Sequence, residues 1–246
     1  MMKLSKHDLL WLIRRLPEPV AGLLRSSPKL FVAGGYIRSV IANEPVNDID
    51  IFAPSKDLAA LASKSLSHRN EVAHETPNAF TIKTHGGNVV QFIHRWTFDT
   101  PEACLASFDF TIACAALWYD GDWKTLADDN FYADLAGRRL VYRKPVRNED
   151  AGGSMLRVLK FYQRGYRIPL DSLGAVIARL MSGVMQDEAA RKAFESMTEG
   201  WEDEIAKQAT GRLREVDPMV DPTGDAHLPS SEEDIVTSLE ATQEAK

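Results

Sequence analysis

The amino-acid sequence predicts an α+β fold: a small antiparallel or mixed β-sheet flanked by helices, followed by a short helical neck domain and a disordered acidic tail. β-rich runs and amphipathic runs with helical spacing alternate along the first 148 residues. From about residue 153 to 206 the periodicity is almost entirely helical, and from about residue 217 the chain is rich in proline, glycine, serine and acidic residues. We therefore expect domains at 1–148, 149–215 and 216–246.

The first elements have clear local signals. Ser5 with Asp8 three residues later forms a capping box that begins a helix, and Pro17 interrupts this helix before a second short one. A β-rich run then ends at Gly34–Gly35, and residues with helical spacing follow. Alternating apolar and polar residues at 48–53 indicate a strand.

The later elements are predicted in the same way. Ser55 caps an amphipathic helix, and two β-rich runs at 79–84 and 88–94 form a hairpin. A helix begins at Pro101. The run at 108–119 is predicted as one long strand, turned by Asp120 and Gly121 into another. The remaining predicted elements are a short helix at 130–139, a strand at 140–143, and helices broken near 165–169 and at Gly183.

Composition places the chain among ordinary globular proteins. It is 44% hydrophobic and 26% charged, and no run approaches the roughly 20 apolar residues of a membrane span, so we expect a cytoplasmic protein without a membrane partner. Cys104 and Cys114 lack metal-ligand spacing and are expected to be reduced core thiols. From Glu215 onward there are nine acidic residues and one basic residue. The rest of the chain has 28 basic and 26 acidic residues, which neither indicates nor excludes a nucleic-acid partner.

Two aspartates are the strongest candidates for chemistry. Asp48 and Asp50 are two residues apart in a predicted strand, so they point to one face while Ile49 and Ile51 point into the core. Adjacent carboxylates repel each other, and a divalent cation relieves the repulsion. Mg²⁺ or Mn²⁺ takes oxygen ligands and keeps positions open for substrate phosphates. Considered alone, such a pair is more often a solvated strand edge.

The segment before this strand gives the pair its context. Gly34–Gly35 ends a strand where a helix begins at Tyr36, and glycines there let backbone N–H groups approach a phosphate. Arg38, in the first turn of that helix, can reach the same anion. A lone Gly-Gly is an ordinary tight turn, but its combination with Asp48 and Asp50 favours a nucleotide-binding site.

A third candidate carboxylate is Asp109. Phe108 and Phe110 share the face opposite to it, so it lies on the polar face of an apolar predicted strand. A carboxylate there can complete a metal site or bind a ribose hydroxyl. An acid at a strand end, or one held in a salt bridge, is an equally good interpretation.

A basic stripe follows from helical spacing near residue 160. Arg157, Lys160 and Arg164 recur at i, i+3 and i+7, with Leu156, Leu159 and either Tyr162 or Phe161 on the opposite side. The stripe can meet a triphosphate or an RNA backbone. For two of its members, Lys160 and Arg164, a solvated helix face is the favoured interpretation.

Together these segments resemble the polymerase-beta-like nucleotidyltransferase superfamily, in particular the head domain of the tRNA CCA-adding enzyme and bacterial poly(A) polymerase branch. GGYIRSVIANEPVNDIDIF resembles the branch's Gly-Gly, arginine and Asp-x-Asp signature. SFDFTIACAAL resembles its ribose-recognition motif, LADDNFYADLAGRRLVYR its Asp-Leu motif with a basic strand, and MLRVLKFYQRGYRI the helix that opens its neck. The resemblance covers roughly residues 29–168, and the four motifs occur in the family's order.

The resemblance implies a metal-dependent nucleotidyltransferase that uses an NTP. It implies that Gly34–Gly35 hold the triphosphate and that Asp48 and Asp50 bind the metal ions. Asp109 would join them in catalysis, by contacting the ribose or supporting the metal site. Arg157 corresponds to an arginine of the neck helix, near the incoming base.

The sequence also departs from the family pattern. Ser39 replaces the acid that usually follows the motif arginine, and Ser107 and Phe108 replace an arginine pair. Ser154 falls where the base-selecting arginine of the neck would be if no gap is allowed. Gln91 lies on a strand that in other branches often has a third catalytic acid. These departures argue against selection of C and A, and the chain is also much shorter than those enzymes.

We therefore expect transfer of a nucleoside monophosphate from an NTP to an acceptor hydroxyl, with an RNA 3′ end as the first candidate acceptor. A protein or small-molecule acceptor is the alternative with the same chemistry. A non-catalytic nucleotide- or RNA-binding module is the alternative without it. Retention of both Gly34–Gly35 and the aspartate pair argues against this last alternative.

Overall fold

The fold is α+β and is built on a seven-stranded sheet with strand order β3-β4-β5-β2-β1-β6-β7. The computed structural model describes residues 1–67, 74–84, 86–143, 145, 151–186, 188 and 192. The strands are β1 (Phe31–Ala33), β2 (Ile49–Phe52), β3 (His74–Glu75), β4 (Ala79–Lys83), β5 (Val89–Ile93), β6 (Ala115–Asp120) and β7 (Asp122–Ala127). The helices are α1 (Lys6–Arg15), α2 (Glu18–Ser26), α3 (Gly35–Ile41), α4 (Lys56–Leu66), α5 (Pro101–Ala106), α6 (Phe131–Ala136), α7 (Ala151–Tyr162) and α8 (Leu170–Gln186).

The sheet is mixed, as the sequence predicted. Strands β2 and β5 pair in parallel, with Asp50 opposite Gln91, and the other described pairings are antiparallel. A parallel pair needs a long connection, and here α4 and the β3–β4 hairpin supply it.

The two faces of the sheet have different roles. Val32, Ile51 and Phe92 point into the main core, where they pack with buried residues of α1 to α4. The opposite face has a smaller cluster that includes Phe31 and Phe52 and is covered in part by α5. Because side chains alternate along β2, Asp50 shares this second, more open face with Phe52.

Several local predictions are confirmed. The Ser5 hydroxyl accepts a hydrogen bond from the Asp8 amide at the start of α1, and Ser55 caps α4 in the same way. The turn between β6 and β7 centres on Gly121, whose φ of 72° is the conformation that glycine adopts without strain. The break between α7 and α8 falls at the predicted place, with Gly165 at φ 80°.

The predicted long strand at 108–119 is wrong. Strand β6 begins only at Ala115, and a short 3-10 helix, Thr111–Ala113, precedes it. Phe110 is fully buried and forms only an isolated bridge with Tyr142. The Thr111 hydroxyl donates to Asp134 at 2.7 Å. These contacts hold the segment in the main core, so it does not extend β6.

Three smaller predictions are also wrong. Residues 140–143 form no strand: the pairing there is limited to an isolated bridge between Tyr142 and Phe110. Helix α8 continues through Gly183 to Gln186. Leu156 and Leu159 do not form the buried side of α7, since they are 68% and 51% exposed; of the residues predicted there Phe161 is buried, and Val158 is buried with it.

Some predictions fall outside the described residues. They include the first residues of the predicted neck domain, 149–150, and the acidic tail at 216–246. The division into domains stays a prediction, although α7 contributes Val158 and Phe161 to the same core as the sheet. No helix among the described residues has the length and apolar character to cross a membrane.

Candidate active site

One cavity of about 300 Å³ opens on the second face of the sheet. Every residue that the sequence singled out for a site lines it: Gly34, Gly35, Arg38, Asp48, Asp50, Asp109 and Arg157. The fold therefore brings together residues from β1, α3, β2, the segment before β6, and α7. Their individual roles stay predictions.

The aspartate pair sits at the start of β2. Asp48 immediately precedes the strand and Asp50 lies within it, both half-buried, while Ile49 and Ile51 are fully buried on the other side. Burial, together with the charge of Asp48, raises the pKa of Asp50 to about 7, and Lys160 opposes this shift. The ionised pair is therefore unfavourable unless a cation accompanies it.

The donor chemistry of this pair fits Mg²⁺ or Mn²⁺. Both aspartates offer carboxylate oxygens, which these ions prefer. Among the described residues there is no cluster of three or more histidine, cysteine or acidic side chains placed to hold a metal. Two carboxylates suffice for Mg²⁺, because it keeps several waters and takes further ligands from substrate phosphates.

The turn between β1 and α3 exposes backbone to the cavity. Gly34 has φ 87° and ψ −129°, a conformation that only glycine adopts without strain. Its amide donates to the Ala115 carbonyl at 2.9 Å, which fixes the turn against β6. A Cβ at Gly34 would lie 3.5 Å from the ring of Phe108, so the backbone conformation, and not crowding, requires glycine here.

Arg38 is a buried cation on the cavity wall. Its guanidinium is 4.9 Å from the ring centroid of Phe161 and donates to the Ser39 hydroxyl at 3.0 Å. It also lies within 4 Å of the point where a Cβ of Gly35 would be. Burial lowers the pKa of Arg38 below its ordinary value, because water solvates the buried guanidinium charge poorly. An anion in the cavity would supply that compensation.

Asp109 is not on a strand, and its carboxylate is already engaged. It is 5% exposed, and its Oδ2 accepts hydrogen bonds from Ser154 at 2.9 Å and Arg157 at 2.6 Å. Without a gap, the resemblance would align Ser154 with a base-selecting arginine. The contacts join α7 to the segment before β6, which places the basic stripe against the cavity.

Sequence reasoning undervalued or missed other lining residues. Lys160 and Arg164 line the cavity, so the basic stripe faces it and not only solvent. An apolar wall formed by Phe52, Ile93, Trp96 and Phe108 was not predicted. Two of these had a signal: Phe52 follows Asp50 by two residues on the same strand, and Ile93 pairs with Phe52. Trp96, in the loop after β5, had none.

Comparison with known proteins places this chain in a family. The sequence model of the Gabija anti-defense 2 family matches residues 3–138, more than half of the 246 residues. The chain belongs to this family. A curated relative, Gabija anti-defense 2 of Bacillus phage SPbetaL7, is 27% identical over 151 residues, which are 61% of this chain and 36% of the relative. The matched region therefore covers only about a third of the relative's length.

Solved structures show which fold the family member has. The Thermotoga maritima CCA-adding enzyme complexed with tRNA matches 84% of this chain and 54% of its own length, with a TM-score of 0.56 and 18% identity. A CCA-adding enzyme with ATP matches 85% of this chain and 54% of its own length, with a TM-score of 0.56 and 20% identity. The fold is therefore the polymerase-beta-like nucleotidyltransferase fold, as the sequence motifs predicted. The chain spans just over half the length of these enzymes.

Proposed function

We propose that this protein transfers a nucleoside monophosphate from an NTP to an acceptor hydroxyl and releases pyrophosphate. The observation that supports it most is the convergence of Asp48 and Asp50 with Gly34–Gly35 and Arg38 in one cavity. In the reaction a bond forms between the acceptor oxygen and the α-phosphorus, the bond from that phosphorus to pyrophosphate breaks, and the hydroxyl proton is released.

The charges around the cavity suit a triphosphate. Arg38, Arg157, Lys160 and Arg164 place four cationic groups on its walls. The backbone at Gly34–Gly35 offers a close approach, and Arg38 lies beside it. These groups would bind the triphosphate and orient the α-phosphorus towards the aspartates.

Asp48 and Asp50 would hold one or two Mg²⁺ or Mn²⁺ ions. When bound, such ions neutralise the developing charge and favour an in-line displacement. The raised pKa of Asp50 supports this assignment, because the second negative charge of the pair is unfavourable without a cation. Asp109 would act on the same site indirectly, by fixing the position of Arg157.

An RNA 3′ end is the first acceptor to test. The CCA-adding enzyme of similar fold was solved in complex with tRNA, and the basic stripe of α7 lines the cavity of this chain. The family name favours a second candidate, transfer to a protein or small-molecule component of the Gabija defence. The absence of an arginine at Ser154 supports this alternative, since base selection of the CCA type would lack its side chain.

Label transfer from α-³²P NTPs distinguishes these acceptors. Each NTP is incubated with Mg²⁺, the protein, and total RNA, total protein or the small-molecule extract of bacterial cells with the Gabija system. Label that ribonuclease removes would establish an RNA acceptor, and label that protease removes would establish a protein acceptor. The matched control is the Asp48→Asn/Asp50→Asn variant, which should transfer no label. Equal labelling by the variant, or none by the folded wild type with any NTP, would contradict the proposal.

A further inference from the structure

Arg38 is followed by a residue that cannot neutralise its charge. The resemblance places an acid directly after this arginine, and Ser39 stands there instead. The Ser39 hydroxyl accepts one hydrogen bond from the Arg38 guanidinium but has no charge to offer. Arg38 is 7% exposed, and a buried guanidinium needs a counter-charge in the free protein.

Glu44 supplies a carboxylate from the loop after α3. Its Oε2 lies 3.8 Å from Nε of Arg38, and both side chains are largely buried, at 14% and 8% exposed. The loop is fixed locally, because the Glu44 amide donates to the Ser39 carbonyl at 2.8 Å. The chain therefore returns to the arginine only a few residues after leaving it.

A second contact fixes the Glu44 side chain. The buried Tyr166 hydroxyl donates to its Oε1 at 3.0 Å, from the turn that follows α7. Arg138 approaches the same oxygen at 3.8 Å but is exposed, so its charge is screened by water. Tyr166 and Glu44 thus form a chain of contacts that ends at Arg38.

Arg38 and Glu44 approach each other through Nε of the guanidinium. Among the described residues, neither Nε of Arg38 nor Oε2 of Glu44 has a hydrogen-bond partner, although both atoms are buried. The 3.8 Å gap is too long for a hydrogen bond and short enough for a strong charge interaction. The terminal nitrogens of Arg38 stay on the side of Gly35 and the cavity.

From this geometry we propose that Glu44 is a positioning residue: it takes over the role of the acid missing at Ser39 and holds Arg38 in the orientation that binds the nucleotide triphosphate. The inference rests on the proposed function only for the identity of the ligand. It assigns a role in the site to Glu44, which lies between the motif arginine and the Asp-x-Asp pair but belongs to neither.

Whether Glu44→Gln weakens or tightens anion binding distinguishes positioning from a purely electrostatic effect. Removing a negative charge near an anion site should tighten anion binding if electrostatics alone act. If Glu44 positions Arg38, Glu44→Gln instead weakens binding about tenfold, because the guanidinium loses the charge interaction that orients it. Glutamine has nearly the same shape and can still accept from Tyr166. The matched control is Glu18→Gln, since Glu18 pairs with Arg25 on the surface of α2.

Rescue at Ser39 sharpens the test. In the Glu44→Gln background, Ser39→Asp restores the acid of the family pattern beside Arg38. Positioning predicts that Ser39→Asp strengthens the weakened binding of Glu44→Gln to within about threefold of wild type, whereas electrostatics alone predicts that the added charge weakens it. Tyr166→Phe, which removes only a hydroxyl, should give a smaller loss and serves as a second variant if Glu44→Gln fails to fold.

Calorimetric titration with inorganic triphosphate and with each NTP, in Mg²⁺ and without acceptor, gives the affinities. Weaker binding by Glu44→Gln and recovery by Ser39→Asp are the expected results. Unchanged or tighter binding by Glu44→Gln would overturn the inference even if the wild type transfers nucleotides. Wild-type binding that depends on Glu44 without any transfer would overturn only the proposed function. A folded wild type that binds neither triphosphate nor any NTP would overturn both.

Discussion

Replacing Asp50 by asparagine should remove a pH-dependent loss of stability. Burial and the neighbouring charge of Asp48 raise the pKa of Asp50 from its ordinary 3.8 to about 7. The folded protein therefore binds one proton more than the unfolded chain between about pH 4 and pH 7. In that window the free energy of unfolding falls as the pH rises. Below about pH 4, Asp50 is protonated in both the folded and the unfolded protein. Above about pH 7 it is ionised in both, and the free energy of unfolding falls no further.

The size of this effect follows from the pKa shift. A shift of about 3 units at about 1.4 kcal/mol per unit sets an upper limit of about 4 kcal/mol. Asp50 borders an open cavity, where water and side-chain movement screen its charge, so we expect about 2 kcal/mol. The asparagine side chain cannot ionise, and its amide keeps the shape of the carboxylate that it replaces.

Urea denaturation at pH 5 and pH 8, in the presence of a chelator, measures the difference. Between these pH values, which cover a little over half of the effect, the wild type should lose about 1 kcal/mol more stability than Asp50→Asn. Asp99→Asn, which changes an exposed carboxylate, is the control and should follow the wild type. Mg²⁺ at pH 8 should restore stability to the wild type and not to Asp50→Asn. Parallel pH dependence of the wild type and Asp50→Asn would refute the reasoning.

Three further predictions concern other parts of the cavity. Gly34→Ala should lower the free energy of unfolding by about 1–3 kcal/mol in urea denaturation, because alanine is strained at φ 87°; a neutral result would contradict this. Arg157→Met should cost about 2 kcal/mol by leaving the buried Asp109 with only one strong donor, and adding Asp109→Asn should recover part of the loss. Cys104 and Cys114 are buried, and burial raises the pKa of Cys114 to about 12. A thiol reagent should therefore modify neither in the native protein and both in urea, and rapid native modification would contradict the fold.

The sequence predicted the site well where periodicity fixed the direction of side chains. Asp48 and Asp50 had to share a face because Ile49 and Ile51 needed the core, and the structure shows that arrangement. The turn at Gly34–Gly35 was also predictable, because a short β-rich run ended there and a helical pattern followed. In both cases the decisive interactions are local in sequence.

Sequence reasoning failed where long-range contacts decide the conformation. The segment around Asp109 looked like a strand, since its apolar residues alternate, but contacts of Phe110 with Tyr142 and of Thr111 with Asp134 determine its path. Those partners lie more than 20 residues away, beyond any local pattern. Helix α7 was oriented wrongly for the same reason. Its two leucines and its buried residues are equally apolar, and only the docking of the helix distinguishes them.

Glu44 shows a further limit of motif reasoning. The sequence reveals that Ser39 lacks a charge, but not that the chain turns back to bring a carboxylate to Arg38. A loop conformation and a contact from Tyr166, 122 residues away, create that arrangement.

The central claim is that the aspartate pair supports metal-dependent nucleotidyl transfer. The most direct test follows two labels of the same NTP, one on the α-phosphate and one on the γ-phosphate, with the wild type and with Asp48→Asn/Asp50→Asn in Mg²⁺ and in chelator. We expect that the wild type, only with Mg²⁺, links the α-label to an acceptor and releases the γ-label as pyrophosphate, and that the double variant does neither. Release of the γ-label as free phosphate, or transfer that persists in the double variant, would contradict it.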